Sequence, residues 1–161
     1  MSKIIILILS FLIANADTFN FTELRYSDAL NKTMELNGEI SFFQNGLSIK
    51  YKKSKKSLHL QDGILIYKED GEQIAMNETQ AQRVTQYFEI ILLLHSGDKE
   101  LLESMFEVDN SSQRAVLRPK GSLSHFVTFI ELRKHEDKPK EIKLFLSNSD
   151  NIIIKINDEI R

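Results

Sequence analysis

The side chains that most often carry out catalysis or bind metals are scattered in this sequence. No two histidines have zinc-ligand spacing with a carboxylate. Gly-x-Ser-x-Gly, phosphate-loop and Gly-x-Gly-x-x-Gly motifs are absent, and so is cysteine. Paired carboxylates such as Glu69-Asp70 fall at turns, where general acid catalysis is unfavourable. We therefore expect a protein that is not an enzyme, with no catalytic residue, metal site or cofactor. Three histidines that lie in predicted strands or end the predicted helix are assigned structural roles: His59, His125 and His95.

Lysines form the most concentrated charge in the chain. Residues 50–56 contain five lysines in seven positions, although the whole chain has a formal net charge of −2. This near balance makes nucleic acid an unexpected partner. The run is either the solvated end of a hairpin or a surface that contacts anionic lipid or an acidic protein. The residues of this predicted contact are Lys50, Lys52, Lys53, Lys55 and Lys56.

Alternating apolar and polar residues predict the strands that position these side chains. From Met34 to Met76 the alternation is interrupted by Asn-Gly and Asp-Gly dipeptides, which favour the type I′ turns of antiparallel hairpins. Upstream, residues 19–27 form either a first strand that turns near 31–32 or a short helix. Period-two alternation returns late in the chain, predicting four more strands at 114–117, 125–133, 141–146 and 151–156.

A helical pattern separates the two sets of strands. Asn77 is a predicted N-cap with Gln80 three residues on, and a helix over about 79–95 follows. Gly97 is the predicted end of this helix, and Asp98 caps a shorter one whose Leu101, Leu102 and Met105 share one face. Strands, helices and strands in this order predict a long antiparallel sheet with a helical insertion.

The apolar residues exceed what a small sheet obviously needs. They form either an ordinary core or the wall of a cavity, with the sheet curved around it and the helix as a cover. For the cavity hypothesis, the fixed wall on the strands is Phe42, Ile49, Leu60 and Ile66, and the mobile wall on the helix is Tyr87, Phe88, Ile91 and Leu94.

Residues 1–16 have the features of a cleavable secretory signal peptide. Lys3 gives a positive start, an apolar run follows, and Ala14-Asn15-Ala16 fits the cleavage pattern. The apolar run is shorter than the roughly 20 residues of a spanning helix. We expect an exported chain that begins at Asp17 and forms a single domain over residues 17–161, soluble and monomeric.

Four short motifs carry a family resemblance. They are Gly38-Glu39-Ile40 opening a strand, Tyr51 ending the next, Asp62-Gly63 followed by a strand to Tyr67, and Leu117-Arg118-Pro119-Lys120. Their order and spacing resemble the periplasmic outer-membrane lipoprotein carriers, the LolA-like family. The resemblance implies a mainly β fold with helices (α+β), an incomplete antiparallel β-barrel, or half-barrel, covered by a helical insertion. It also implies a periplasmic location.

The sequence departs from that family in two places. Few residues of the mature chain precede the first predicted strand, where the family has a longer N-terminal helix. Phe43-Gln44-Asn45-Gly46 replaces the family's arginine and proline, which hold the helical cover closed. The predicted protein is therefore a divergent member.

The resemblance implies a carrier that takes part in outer-membrane biogenesis without covalent chemistry. Its cargo would be the acyl chains of lipoproteins or other lipids, moved from an inner-membrane transporter to an outer-membrane acceptor. Burying about 15 methylenes would supply on the order of 12 kcal/mol. The alternative is a periplasmic structural or protein-interaction domain with the same scaffold and a filled core.

Overall fold

A computed structural model describes residues 16–160, so the predicted signal peptide lies almost wholly outside the described residues. The described chain forms eleven strands, two α-helices and a short 3₁₀ helix over Gly121–His125. The first strands are β1 Asp17–Ser27, β2 Lys32–Phe43, β3 Gly46–Tyr51, β4 Lys56–Gln61, β5 Ile64–Glu69 and β6 Glu72–Gln73. The helices and remaining strands are α1 Glu78–Ser96, α2 Lys99–Met105, β7 Phe106–Asn110, β8 Arg114–Pro119, β9 Val127–His135, β10 Lys138–Leu146 and β11 Asn151–Glu159.

All the strands belong to one antiparallel sheet. Their order is β6-β5-β4-β3-β2-β1-β11-β10-β9-β8-β7, so the first and last long strands of the chain, β1 and β11, pair at its centre. The sheet is open, with the short β6 and β7 at its two edges. This confirms the predicted fold class of a mainly antiparallel sheet with a helical insertion that does not close into a complete barrel.

Tight turns fix the register of the hairpins. Asn45, Asp62 and Asp70 have φ angles of 59°, 49° and 52°, and Gly63 and Gly71 follow two of them with φ of 79° and 84°. Asparagine, aspartate and glycine are the residues that adopt positive φ most readily. These turns are where the sequence predicts them, and the residues after the predicted signal peptide form a strand, β1, not a helix.

The helix α1 is closed at both ends by its own caps. The side chain of Asn77 accepts a hydrogen bond of 2.9 Å from the Gln80 amide, and Gly97 adopts φ 68° at the other end. Asp98 caps α2 by accepting a 3.0 Å bond from the Leu101 amide. Both helices are therefore confirmed, with α1 one residue longer at each end than predicted. None of the described helices is both long and apolar enough to cross a membrane.

One face of the sheet carries the core. Cross-strand partners on this face continue from strand to strand, for example Phe21 with Ile156 and Ile40 with Ile49. The helix α1 lies on this face, in contact with β3 and with β10, and buries six residues: Tyr87, Phe88, Ile90, Ile91, Leu93 and Leu94. We call this the inner face. Because α1 covers the middle of the inner face, the position of this helix determines where a site between helix and sheet can lie.

Three local predictions are wrong. The strand β7 was not expected, because its five residues follow α2 directly without a turn signal. His125 ends the 3₁₀ helix, and β9 begins at Val127. Leu101 is 48% exposed and does not share the covered side of α2, where Leu102 and Met105 pack against the core.

Candidate functional site

A groove of about 440 Å³ lies between α1, at Val84 to Phe88, and the inner face of β1–β5. Known ligand pockets have volumes of about 300–1,000 Å³ and mostly apolar walls. The apolar and aromatic residues that line this groove are Met34, Leu36, Tyr51, Leu58, Tyr67, Met76, Val84, Tyr87 and Phe88. Its polar members are Arg25, Ser54 and Lys56. We call it the acyl groove, because its apolar walls could enclose a hydrocarbon chain.

The predicted cavity residues divide between this groove and the core beside it. Seven of the eight belong to one buried apolar cluster on the inner face, but only Tyr87 and Phe88 line the acyl groove. The other five fill the space under the rest of α1: Phe42, Ile49, Leu60, Ile91 and Leu94. The middle of the inner face is therefore packed. Open volume remains on either side of it: in the acyl groove beside Val84, Tyr87 and Phe88, and in a groove of about 510 Å³ at the other end of α1, which Leu94 lines.

Ile66 lies on the opposite face of the sheet. The two-residue turn Asp62-Gly63 pairs Gln61 with Ile64, which places Leu65 opposite Leu60 and Ile66 opposite His59. A register shift of one residue reverses the face of every side chain in a strand. The β5 residues that pack against the core are instead Leu65 and Tyr67, and Tyr67 lines the groove.

A buried polar cluster lies beside the acyl groove. Glu23, on the inner face of β1, is fully buried and forms an ion pair with Arg25 on the same strand. The Tyr87 hydroxyl donates a 3.0 Å hydrogen bond to Oε2 of Glu23, and Nη2 of Arg25 donates a 3.0 Å bond to the Tyr51 hydroxyl. Both oxygens of the Glu23 carboxylate therefore have a hydrogen-bond donor, and the bond from Tyr87 joins helix α1 to the sheet.

The two tyrosines of this cluster stay protonated over the ordinary pH range. Burial is the main reason that the pKa of Tyr87 lies well above its usual value, and the nearby carboxylate of Glu23 raises it further. Burial and Glu23 also raise the pKa of Tyr51, although Arg25 opposes them. A protonated phenol at Tyr87 remains a hydrogen-bond donor, so the link between α1 and the sheet persists at alkaline pH.

Sequence reasoning missed this cluster, although the chain contains a signal for it. Phe19, Phe21, Glu23 and Arg25 follow one another at every second position of β1, so all four fall on one face of the strand. A glutamate and an arginine in phase with two phenylalanines predict a charged pair facing the core. Alternation alone does not show whether this charged pair is buried in the core or whether the second half of β1 is exposed to solvent.

A second groove, of about 590 Å³, adjoins the acyl groove at the end of the sheet. It is formed by the β1–β2 and β10–β11 hairpins, and the two grooves share Arg25 and Met34. Its walls include Leu30, Leu146 and Ile152. Leu30 is 75% exposed and Met34 is 49% exposed, so apolar surface is open to solvent here. We call it the end groove.

The lysine run spans the end of β3, the loop after it and the start of β4, as the hairpin prediction requires. Lys55 lies 3.4 Å from Asp70, Lys56 lies 3.5 Å from Glu69, and Lys52 donates to Asn20. Within residues 16–160, no carboxylate oxygen lies within 4 Å of the side-chain nitrogen of Lys50 or Lys53. The positive surface is thus smaller than five lysines suggest.

His95 packs at the far end of α1 from the acyl groove. Its ring stacks on Phe42 with centroids 3.5 Å apart and planes at 6°, and Nε2 lies 4.0 Å from Oδ2 of Asp17. Burial lowers the pKa of His95, with Asp17 acting in the opposite direction and Lys138 in the same direction. Among the described residues, no three acidic or histidine side chains lie close enough together to hold a metal ion.

Comparison with known proteins gives matches among solved structures only. No protein-family model matches the sequence, and no curated protein matches it. The solved structure of a LolA superfamily protein from Nitrosomonas europaea is similar to this chain, and the similarity covers 92% of this chain and 87% of that protein. The TM-score is 0.46 and the sequence identity is 6%. A similarity at this level does not assign the family, and the site has to be interpreted from its own geometry.

Proposed function

We propose that this protein is a non-catalytic carrier that binds the acyl chain of a lipid or lipoprotein in the acyl groove. The observation that supports the proposal is the groove itself, an apolar space of about 440 Å³ beside the packed middle of the inner face. Its walls combine one helix with five strands, so a bound chain would be enclosed on both sides by side chains such as Leu58 and Val84.

The hydrophobic effect is the driving force in this proposal. Each methylene removed from water contributes about 0.8 kcal/mol, so a chain with ten buried methylenes gains about 8 kcal/mol. The fixed cost of association is about 4 kcal/mol at the low end of its range, so it offsets half or more of this gain. The affinity from ten methylenes would therefore be limited, which suits a carrier that must release its cargo to a competing apolar surface.

Two steps test the proposal. The full chain is expressed with its own N-terminus in a Gram-negative host, and the purified protein is examined by native mass spectrometry for co-purified lipid. A fluorescent fatty acid is then titrated into delipidated protein. We expect bound lipid and saturable probe binding. Protein that is free of lipid and does not bind the probe would contradict the proposal.

A matched pair of variants locates the site. Val84 is half-buried in the groove wall, so Val84→Trp would fill part of the space. We expect weaker probe binding by about tenfold, because displacing two methylenes costs about 1.6 kcal/mol. Glu89 is exposed on the same helix and does not line the groove, so Glu89→Trp serves as the control. Equal losses in the two variants would place the ligand elsewhere.

The proposal includes a place and partners for the carrier. If residues 1–16 are a signal peptide, the carrier works in the periplasm between an inner-membrane donor and an outer-membrane acceptor. Lys50 at the end of β3 and Lys53 in the loop that follows then form the surface that would meet anionic lipid or an acidic partner. Fractionation of cells, with sequencing of the N-terminus of the recovered protein, tests both the location and cleavage before Asp17.

One observation favours a second candidate function. Phe42, Ile49 and Ile91 are nearly inaccessible, so the protein's own side chains occupy the middle of the inner face. A structural or protein-interaction domain with a filled core would have this feature. The same mass spectrometry and titration decide between the two candidates, because such a domain would carry no lipid.

A further inference from the structure

Arg25 lies where the acyl groove and the end groove meet. It lines both of them, together with Met34, and its side chain is 40% exposed although it faces the fully buried Glu23. Arginine is costly to place beside apolar walls unless its charge is paired. Glu23 supplies one partner, and the exposed part of the guanidinium remains available to a ligand.

The hydrogen bonds of Arg25 leave part of its donor set unused. A guanidinium has five N–H donors. Within residues 16–160, Nε donates to Glu23 and Nη2 donates to Tyr51, and Nη1 makes no hydrogen bond. Arginine binds phosphate and carboxylate oxygens through pairs of neighbouring N–H groups. The free donors therefore suit an anionic oxygen group placed at the junction of the two grooves.

The apolar surface on both sides of Arg25 constrains the rest of the ligand. One side is the acyl groove and the other is the end groove with the exposed Leu30. The carboxylate in the end groove, Asp150, is already engaged: Oδ1 accepts from the Asp28 amide and Oδ2 accepts from Asn148, each at 2.8 Å. It therefore does not take up the free donors of Arg25.

We infer that the ligand is an anionic two-chain phospholipid, with its phosphate at Arg25 and one acyl chain in each groove. This inference rests on the proposed function and makes its ligand class more specific. The buried Glu23 carboxylate then has a second effect, because it neutralises part of the charge of Arg25 and limits the affinity for the phosphate. A carrier needs such a limit in order to release its cargo.

Four probes test the ligand class on the delipidated full chain. Each of them competes with the fluorescent fatty acid: dioctanoyl phosphatidylglycerol, dioctanoylglycerol, octanoyl lysophosphatidylglycerol and inorganic phosphate. The anionic diacyl lipid should bind about tenfold more tightly than dioctanoylglycerol, since a hydrogen bond to a charged group is lost without the phosphate. It should also bind more tightly than the single-chain lipid, and inorganic phosphate should not compete.

Two variants assign the effect to Arg25. Glu23→Gln/Arg25→Gln removes both charges together, so no buried charge is left unpaired, and it should abolish the preference for the anionic lipid. Glu23→Gln alone keeps an acceptor for Tyr87 and frees the charge of Arg25, so it should tighten anionic binding about two- to fivefold. Circular dichroism confirms that each variant is folded.

Each result has a definite meaning. Equal affinities for the anionic and neutral diacyl lipids would overturn the role of Arg25, and equal affinities for one-chain and two-chain lipids would overturn the role of the end groove. Competition by inorganic phosphate would indicate a site for the free anion. If all three lipids fail while the fatty-acid probe still binds, this inference alone is wrong. If the probe fails as well, the proposed function is wrong too.

Discussion

The hydrogen bond from Tyr87 to Glu23 predicts that removal of a single oxygen atom lowers the free energy of unfolding substantially. Tyr87→Phe removes only the hydroxyl that donates to Oε2 of Glu23 at 3.0 Å. The ring remains in place, because its neighbours in the core, including Phe88 with centroids 5.7 Å apart, do not depend on the hydroxyl. The variant therefore isolates the polar link between α1 and the sheet.

The magnitude follows from the burial of the carboxylate. Glu23 has no exposed surface, so water cannot replace the lost donor, and Arg25 is left as its partner. Hydrogen bonds to charged groups contribute about 1.5–3 kcal/mol, and we expect Tyr87→Phe to lower the free energy of unfolding by that amount. Domains of this kind are stable by about 5–15 kcal/mol, so the variant should still fold.

Urea denaturation of wild type and variant measures the change in free energy. Hydrogen exchange adds a local readout: the amides of Glu78–Ser96 should exchange faster in the variant, relative to the central strands, because the link holds α1. Tyr26→Phe is the matched control. Its hydroxyl lies in an exposed position, 3.3 Å from Asn31, and its loss should cost less than about 0.5 kcal/mol.

A second variant tests the explanation. In a Glu23→Gln background the group that loses its donor is neutral, so adding Tyr87→Phe should cost less than it does in the wild type. A loss below about 0.5 kcal/mol for Tyr87→Phe in the wild type would refute the reasoning, since it would mean that the carboxylate has another donor. Unchanged exchange in α1 would show that the link does not hold the helix.

Three further predictions concern pH, packing and membrane contact. The pKa of His95 is lowered in the folded protein, so the unfolded chain binds more protons than the folded one as the pH falls. The free energy of unfolding should therefore decrease as the pH drops below about 6.5. In urea denaturation at pH 7.5 and pH 5.5, His95→Gln should make this decrease smaller. Gly38→Ala would force a methyl group against the backbone oxygen of Lys50 and should cost about 1–3 kcal/mol by the same method; no change would contradict the close packing. Reversing the charges of Lys50 and Lys53 should weaken the binding of the protein to phosphatidylglycerol vesicles, measured by sedimentation, by at least about tenfold. Reversing the charge of Lys55, which is paired with Asp70, should have less effect. Equal effects would contradict the assignment of the contact surface to Lys50 and Lys53.

The parts of the fold that follow from local chemistry could be predicted from the sequence. Asn77, Gly97 and Asp98 end or begin helices through their own side chains or φ angles, so the bounds of α1 could be placed within a residue. The Asn-Gly and Asp-Gly turns are equally local. The strand β7 is different, because its five residues are an edge strand defined by pairing with β8. Such a strand depends on tertiary contact more than on its own sequence.

The candidate site could be predicted only in part. Tyr87 and Phe88 follow from the spacing of α1, because a helix has one covered side. Ile66 was placed on the inner face, and the register of the Asp62-Gly63 turn puts it on the other. Glu23 was missed because burial of a charge depends on a partner from a distant element, here a tyrosine 64 residues away. Where a core leaves space is likewise set by packing between elements.

Photo-labelling with a fatty acid that carries a diazirine at mid-chain tests the central claim most directly. The labelled full chain is digested and mapped by mass spectrometry. The account predicts covalent labelling of groove residues, chiefly Met34, Leu36 and Met76, which excess unlabelled fatty acid prevents. Saturable labelling on the opposite face of the sheet, for example at the stacked pair Phe129 and Phe145, or labelling that excess fatty acid does not prevent, would contradict it.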